Sequence, residues 1–224
     1  MVFDLDDTLV DYDRAILSGL AAFAVDRGVG EQGLSFLLEI DQLPLSVEET
    51  WGRIRERFAL VEDAAELARS FQSTLPGLCR PFPGVVESLA ALRSAGWTTA
   101  LLTNGLDHEQ RAKLGGGLLE LFDAVLICDP AGQRKPEPSV FAAIAAAVGA
   151  TAEGGWMVGD SLALDVAGGA AAGMSTVWVS HGRPLPDDAR VRPDHTVHSV
   201  DEAFSLLLST ESPRADERRE AEAR

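Results

Sequence analysis

The stretch Val2-Phe3-Asp4-Leu5-Asp6-Asp7-Thr8-Leu9-Val10 constrains this chain more than any other. Two apolar residues lead into Asp4, which reads as a buried strand ending in carboxylates. Like charges packed as closely as Asp4, Asp6 and Asp7 repel one another. A divalent cation among them relieves that repulsion, and hard carboxylate oxygens suit Mg²⁺. An acidic turn capping a helix, with Asp7 or Thr8 as the cap, fits the same residues. The remainder of the chain has to separate the two.

At 224 residues the chain is long enough to bury a substantial core. No apolar run approaches the ~18 residues of a membrane span, so no membrane partner is expected. The first residues show no basic region ahead of an apolar one. Cys79 and Cys128 make no metal-ligand pattern and fit a reduced, cytoplasmic setting. The formal charge of -16 argues against a nucleic-acid partner. It also repels anionic substrates at long range, so a phosphate site needs local positive charge. Lysine is scarce, with only Lys113 and Lys135 in the whole sequence. Because a compact ammonium and a planar guanidinium differ chemically, both lysines stand out.

After Val10 the periodicity turns helical over Tyr12–Arg27, ended by Gly28 and Gly30. Amphipathic segments follow at about Leu34–Leu43, Val47–Leu60 and Ala64–Leu75, with nothing alternating like a strand before residue 78. From Pro83 onward helices and strands alternate. The expected helices are Val85–Ala95, one from Asp107, Pro136–Val148, Leu164–Ala172 and Val200–Leu208. The expected strands are Trp97–Leu102, Ala124–Cys128, Trp156–Val158, Ser175–Val179 and an edge strand at Thr196–Val197. Such alternation predicts an α/β fold, a Rossmann-like parallel sheet core, here with an inserted α-helical unit. The expected division is residues 1–11 and 79–208 as core, 12–78 as helical insert and 209–224 as a disordered tail. Sheets of this kind place their chemistry at the carboxyl ends of the strands.

Three further groups fall at or near strand ends. Thr103-Asn104 offers a hydroxyl and backbone N–H groups suited to phosphate oxygens, or forms a plain turn with Gly105. Lys135 precedes a helix that starts with proline, or is a solvated loop lysine. Gly159-Asp160-Ser161 ends a short strand with Asp165 five residues beyond Asp160, or is ordinary helix N-terminal acidity. The four groups together, in this order and spacing, resemble motifs I to IV of the haloacid dehalogenase (HAD) superfamily over about residues 2 to 180. The helical insert resembles that superfamily's C1-type cap.

The resemblance implies roles. Asp4 is the expected nucleophile, forming an aspartyl phosphate that water then hydrolyses. Asp6 is the expected general acid for the leaving oxygen and then the base for water. Mg²⁺ is expected on Asp4, the backbone carbonyl of Asp6 and Asp160, supported by Asp165, Ser161 and Thr8. Thr103, Asn104 and Lys135 are the expected phosphate-binding residues, with Lys135 able to pair with Asp4. In the dehalogenase branch the Asp6 position is not an aspartate, because halide leaves without a proton. Thr8 is likewise more similar to phosphatases than to phosphomutases, where valine is usual. The expectation is a cytoplasmic, Mg²⁺-dependent phosphatase of a small soluble phosphomonoester, a monomer or weak homodimer. A phosphomutase, a 2-haloacid dehalogenase or a catalytically silent binding protein are the alternatives. The four histidines and the Arg53, Arg55 and Arg57 face receive no role.

Only three residues precede Asp4, a strand of roughly 10 Å. HAD-like chains usually carry several more apolar residues there. A natural start a few codons upstream of Met1 is therefore expected.

Overall fold

The computed structural model describes residues 1–210. It divides into two compact units, Met1–Val10 together with Pro81 onward, and Asp11–Arg80. Of the tail expected from residue 209, Ser209 closes the last helix, and residues 211–224 lie outside the described residues.

The first unit is built on a six-stranded sheet. Its strands are β1 (Val2–Phe3), β2 (Ala100–Asn104), β3 (Ala124–Cys128), β4 (Trp156–Gly159), β5 (Ser175–Val179) and β6 (His195–Val197). Their order is β3-β2-β1-β4-β5-β6, every pairing is parallel, and the order reverses between β1 and β4. In such sheets ligands bind in the crevice beyond the strand ends at that reversal. Although β1 has two residues, Val2 pairs with Ala100 and Met157, and Phe3 with Leu101 and Val158. The Met1 ammonium donates to the Thr98 carbonyl at 2.7 Å.

Alternate side chains leave the sheet on opposite faces. Phe3, Leu101, Val158 and Val177 join one core with Leu89, Leu92, Phe204 and Leu207. Val2, Ala100, Leu102 and Met157 join the other, with Val140, Phe141 and Ile144. The helices that supply these partners are numbered after those of the second unit.

That second unit consists of α1 (Tyr12–Asp26), α2 (Gly30–Asp41), α3 (Val47–Phe58) and α4 (Ala64–Leu78). Leu20, Leu37, Ile40, Ile54 and Leu67 form its core, with Trp51 against Phe23 and Phe71 at ring separations of 5.6 and 5.0 Å. Ser46 and Glu49 close a capping box at the start of α3. Two boundaries differ from the sequence expectation. Gly30 opens α2 rather than ending α1, and α4 runs through Pro76 into its last turn.

Back in the first unit the helices are α5 (Val85–Ser94), α6 (Asp107–Lys113), α7 (Pro138–Ala147), α8 (Ala167–Ala171) and α9 (Val200–Ser209). The expected strand at Trp97–Leu102 is instead Ala100–Asn104. Thr99 sits before the ladder because its N–H donates to the Asp123 carboxylate at 2.9 Å and its hydroxyl to the Leu121 carbonyl at 2.6 Å. The expected helix at Leu164–Ala172 is a π-helical turn, Leu162–Val166, followed by α8. No helix among the described residues is long and apolar enough to cross a membrane.

Candidate active site

Asp4 follows β1, Thr103 and Asn104 end β2, Lys135 lies between β3 and α7, and Asp160 follows β4. The parallel order brings these ends to one edge of the sheet. A cavity of about 190 Å³ there is lined by Asp4, Asp6, Thr103, Asn104, Lys135, Asp160, Ser161 and Asp165. Every site residue that the family resemblance implied, except Thr8, therefore lines one small space. Thr8 is fully buried in the loop after β1, its N–H donating to Leu5 and its hydroxyl without a partner among the described residues.

Lys135 is only 2% exposed. Its ammonium donates to Asp4 Oδ1 at 2.5 Å and to Asp165 Oδ1 at 2.7 Å. Burial alone would push this lysine down, but the carboxylates of Asp165 and Asp4 outweigh it and hold it above its ordinary range. Burial pushes Asp4 up to about 7 against the pull of Lys135, with Asp165 and Asp6 adding to the rise. Asp165 is also raised, by burial first, and Asp160 by burial and then by the charge of Asp4. These are carboxylates crowded into low dielectric, with too little positive charge to settle them.

The local backbone explains how Asp165 arrives there. In the π turn the Val166 N–H reaches the Ser161 carbonyl five residues back, at 3.2 Å. The wide turn returns the Asp165 carboxylate to the Ser161 N–H at 3.0 Å. It also lays that carboxylate over Gly159, where a Cβ would stand 2.3 Å from the Asp165 Cγ. Such turns recur at functional sites.

Asn104 does more than its position suggested. Its side-chain oxygen accepts from the Lys135 N–H at 3.0 Å, and its amide donates to the Lys135 carbonyl at 3.2 Å. The β2 end thus clamps the backbone that carries the lysine.

Three residues of the site escaped the sequence reading. Lys113 and Gln110 contact Asp6, and Arg183 contacts Asp160. Lys113 had a signal, being one of two lysines; Gln110 and Arg183 had none. The Arg183 guanidinium donates to the Asp160 carbonyl at 2.8 Å and to its Oδ2 at 3.0 Å. The Trp178 indole N–H donates to the same carbonyl at 2.8 Å. His181, which received no role, has Nε2 2.6 Å from the Asp7 carbonyl.

Asp4, Asp160 and Asp165 each offer a carboxylate oxygen, and these oxygens lie within 4.8 Å of one another. An all-oxygen anionic set of this size fits a hard divalent cation such as Mg²⁺, and suits softer metals poorly.

Residues 1–173 match the haloacid dehalogenase-like hydrolase family. The chain is 34% identical to a phosphoserine phosphatase of Thermus thermophilus, over 91% of this chain and 97% of that protein. It is 29% identical to the pyrimidine 5'-nucleotidase YjjG of Escherichia coli, over 92% and 94%. Among solved structures it resembles a HAD-hydrolase, YfnB, of Bacillus subtilis bound to magnesium. That likeness has a TM-score of 0.78 at 21% identity and covers 92% of this chain and 96% of the other.

Proposed function

The chain belongs to the haloacid dehalogenase-like hydrolases, and from that premise we propose that it is a Mg²⁺-dependent phosphatase of small phosphomonoesters. The observation that carries this reading is the presence of two different aspartates, Asp4 and Asp6, on the same cavity. In this reading one attacks and the other exchanges a proton, which a phosphate ester needs and a halide does not.

In this reading Asp4 attacks phosphorus and forms an aspartyl phosphate as the ester oxygen leaves. Asp6 gives that oxygen its proton, then takes one from the water that hydrolyses the intermediate. Lys135 and the Thr103 hydroxyl hold the transferring oxygens, and the Asn104 side chain keeps the Lys135 backbone in place. Asp4, Asp160 and Asp165, with the backbone carbonyl of Asp6, would hold Mg²⁺. The cation would supply positive charge between an anionic nucleophile and an anionic phosphate. Ser161 orients Asp165, and Thr8 is a buried member of the loop that follows Asp4.

The helical unit of about residues 12–78 is the C1-type cap of this reading, the part that sets substrate choice. Similarity to a phosphoserine phosphatase and to a nucleotidase supports the substrate class of soluble phosphomonoesters without singling out a member. The buried cysteines Cys79 and Cys128, neither of them in a disulfide among the described residues, are consistent with a reducing cytoplasm. A monomer or weak homodimer completes the proposal.

The test is phosphate release by the purified protein with Mg²⁺, across a panel of phosphomonoesters, beside the Asp4→Asn variant. The variant is expected to stay folded and lose at least roughly a thousandfold in rate, about 4 kcal/mol of transition-state stabilisation. Near-normal turnover by the variant would remove Asp4 from the nucleophile role.

A further inference from the structure

Both lysines of this sequence end on the Asp4-Leu5-Asp6 stretch, and the reaction above uses only Lys135. Lys113, the last residue of α6, is 7% exposed. Its ammonium donates to Asp6 Oδ1 at 2.7 Å and to Asp6 Oδ2 at 2.8 Å. Gln110, one turn earlier and therefore on the same helix face, is 2% exposed. Its amide nitrogen lies 3.1 Å from Asp6 Oδ2, 2.7 Å from the Thr103 hydroxyl and 3.1 Å from the Asn104 carbonyl.

Burying an ammonium and a carboxamide is costly unless each finds polar partners. Here both find partners at the reaction centre. The backbone is shaped around the amide as well. Gly105 has φ +149°, and a Cβ on it would stand 2.9 Å from both Cγ and Cδ of Gln110. Neither Gln110 nor Lys113 lines the cavity that Asp6 lines. Both touch the Asp6 carboxylate itself.

A carboxylate with both oxygens engaged by one ammonium cannot turn freely about its Cβ–Cγ bond. The second oxygen is further tied, through Gln110, to the Thr103 hydroxyl. The relative placement of Asp6 and Thr103 is therefore fixed by one amide. General acid–base catalysis depends on the acid lying within hydrogen-bond reach of the reacting oxygen. Small misplacements of a catalytic group are expensive.

We propose that Lys113, assisted by Gln110, is a positioning residue that aims Asp6 at the ester oxygen. It acts on the reaction through Asp6. The proposal rests on the acid–base assignment of Asp6 made above, and the experiment separates the two.

The measurement is kcat/KM with Mg²⁺ for an alkyl phosphomonoester and for 4-nitrophenyl phosphate. The proteins are the wild type, Asp6→Asn, Lys113→Met and the Asp6→Asn/Lys113→Met double variant. The activated aryl ester needs little protonation as it leaves, so loss of the acid hardly slows it. Lys113→Met is expected to slow the alkyl ester by about ten- to a hundredfold and the aryl ester far less. In the Asp6→Asn background it is expected to cause no further loss on either ester, because a residue acting through Asp6 has nothing left to aim. If Asp6→Asn discriminates between the esters and Lys113→Met does not, or if the two losses multiply, the positioning role falls and the acid–base assignment stands. If Asp6→Asn itself slows both esters equally, that assignment falls and the positioning role with it. Gln110→Leu keeps the Lys113 ion pair and serves if Lys113→Met does not fold. It is expected to show the same leaving-group bias to a smaller degree, and an equal loss on both esters would count against the proposal.

Discussion

Lys135 sits almost wholly out of water with its ammonium between Asp4 and Asp165. Removing one member of a buried ion pair leaves an uncompensated charge and costs about 3–5 kcal/mol. Here two carboxylates would be left facing each other. Substitution by arginine keeps the charge but changes its shape, since a planar fork needs more room than a compact ammonium. The Lys135→Arg variant is therefore expected to lose at least about a hundredfold in kcat despite its unchanged charge. Steady-state kinetics with Mg²⁺, alongside circular dichroism to check folding, decides the matter. Wild-type kinetics would remove Lys135 from the phosphate-binding role and leave it a buried structural ion-pair partner. The sequence showed this lysine as unusual, and showed Asp165 as one more acid near Asp160. It could not show that the Lys135 ammonium would bridge Asp4 and Asp165.

The segment after β4 shows what elements add to residues. A helical pattern over Leu164–Ala172 is legible from its small and apolar residues. The π turn inside it is not, because its cause is the return of Asp165 to the Ser161 N–H at 3.0 Å. Glycine inside a helix costs about 1 kcal/mol relative to alanine, so Gly168-Gly169 in α8 calls for a reason. A Cβ on Gly168 would stand 2.4 Å from Phe141 Cε2 and 3.0 Å from the Pro136 Cα. A Cβ on Gly169 would stand 2.8 Å from the Met157 Cβ. The two glycines let α8 approach both α7 and the sheet. Gly168→Ala is expected to destabilise the protein by about 1–3 kcal/mol, the usual cost of overpacking a filled core. A lowered midpoint in thermal or urea unfolding is the readout. An unchanged midpoint would mean that Phe141 moves aside at no cost. Because Pro136 follows Lys135 directly, activity is expected to fall as well.

At the scale of the whole molecule, a crowd of buried carboxylates ties stability to pH and to cations. Asp4, Asp160 and Asp165 all have raised folded-state pKa values, with Asp4 at about 7. The folded protein therefore binds more protons than the unfolded chain above the ordinary carboxylate range. Unfolding free energy then falls as pH rises through the window up to about 7. The Met1 ammonium, lowered by burial to about 6, works in the opposite direction above that pH. The carboxylates are thus seen alone between about pH 4.5 and pH 6. Without added cation, the melting temperature is expected to fall across that interval. A cation that binds only the folded state stabilises it by mass action, and it needs these carboxylates ionised. Mg²⁺ is therefore expected to raise the melting temperature clearly at about pH 7.5 and much less at about pH 4.5. Asp160→Asn should remove most of that rise. Scanning calorimetry over the four conditions checks it, and a melting temperature indifferent to Mg²⁺ at both pH values would count against a cation among these carboxylates.

The spacing of Asp4, Asp6 and Asp7, the strand and helix periods after residue 83, and the groups at Thr103, Lys135 and Asp160 are all local patterns. They sufficed for the fold class, because periodicity and turn chemistry act over a few residues, and the four groups together carried the resemblance to the family. Which charge meets which is a different kind of fact. Lys135 and Asp4 are 131 residues apart, Lys113 and Asp6 are 107 apart, and Arg183 and Asp160 are 23 apart. Those pairings follow from the order β3-β2-β1-β4-β5-β6, which closes the long loops and brings distant strand ends to one edge. The exchange of the expected Trp97 start of β2 for Ala100 has the same origin, since Thr99 is held by Asp123 and Leu121. The sequence by itself determined the alternation of strands and helices and put acidic groups and Lys135 near strand ends, where the resemblance let Lys135 pair with Asp4. Only the tertiary structure decided that Lys135 also meets Asp165 and that Lys113 meets Asp6, because contacts between charges far apart in the chain exist only once the sheet has closed.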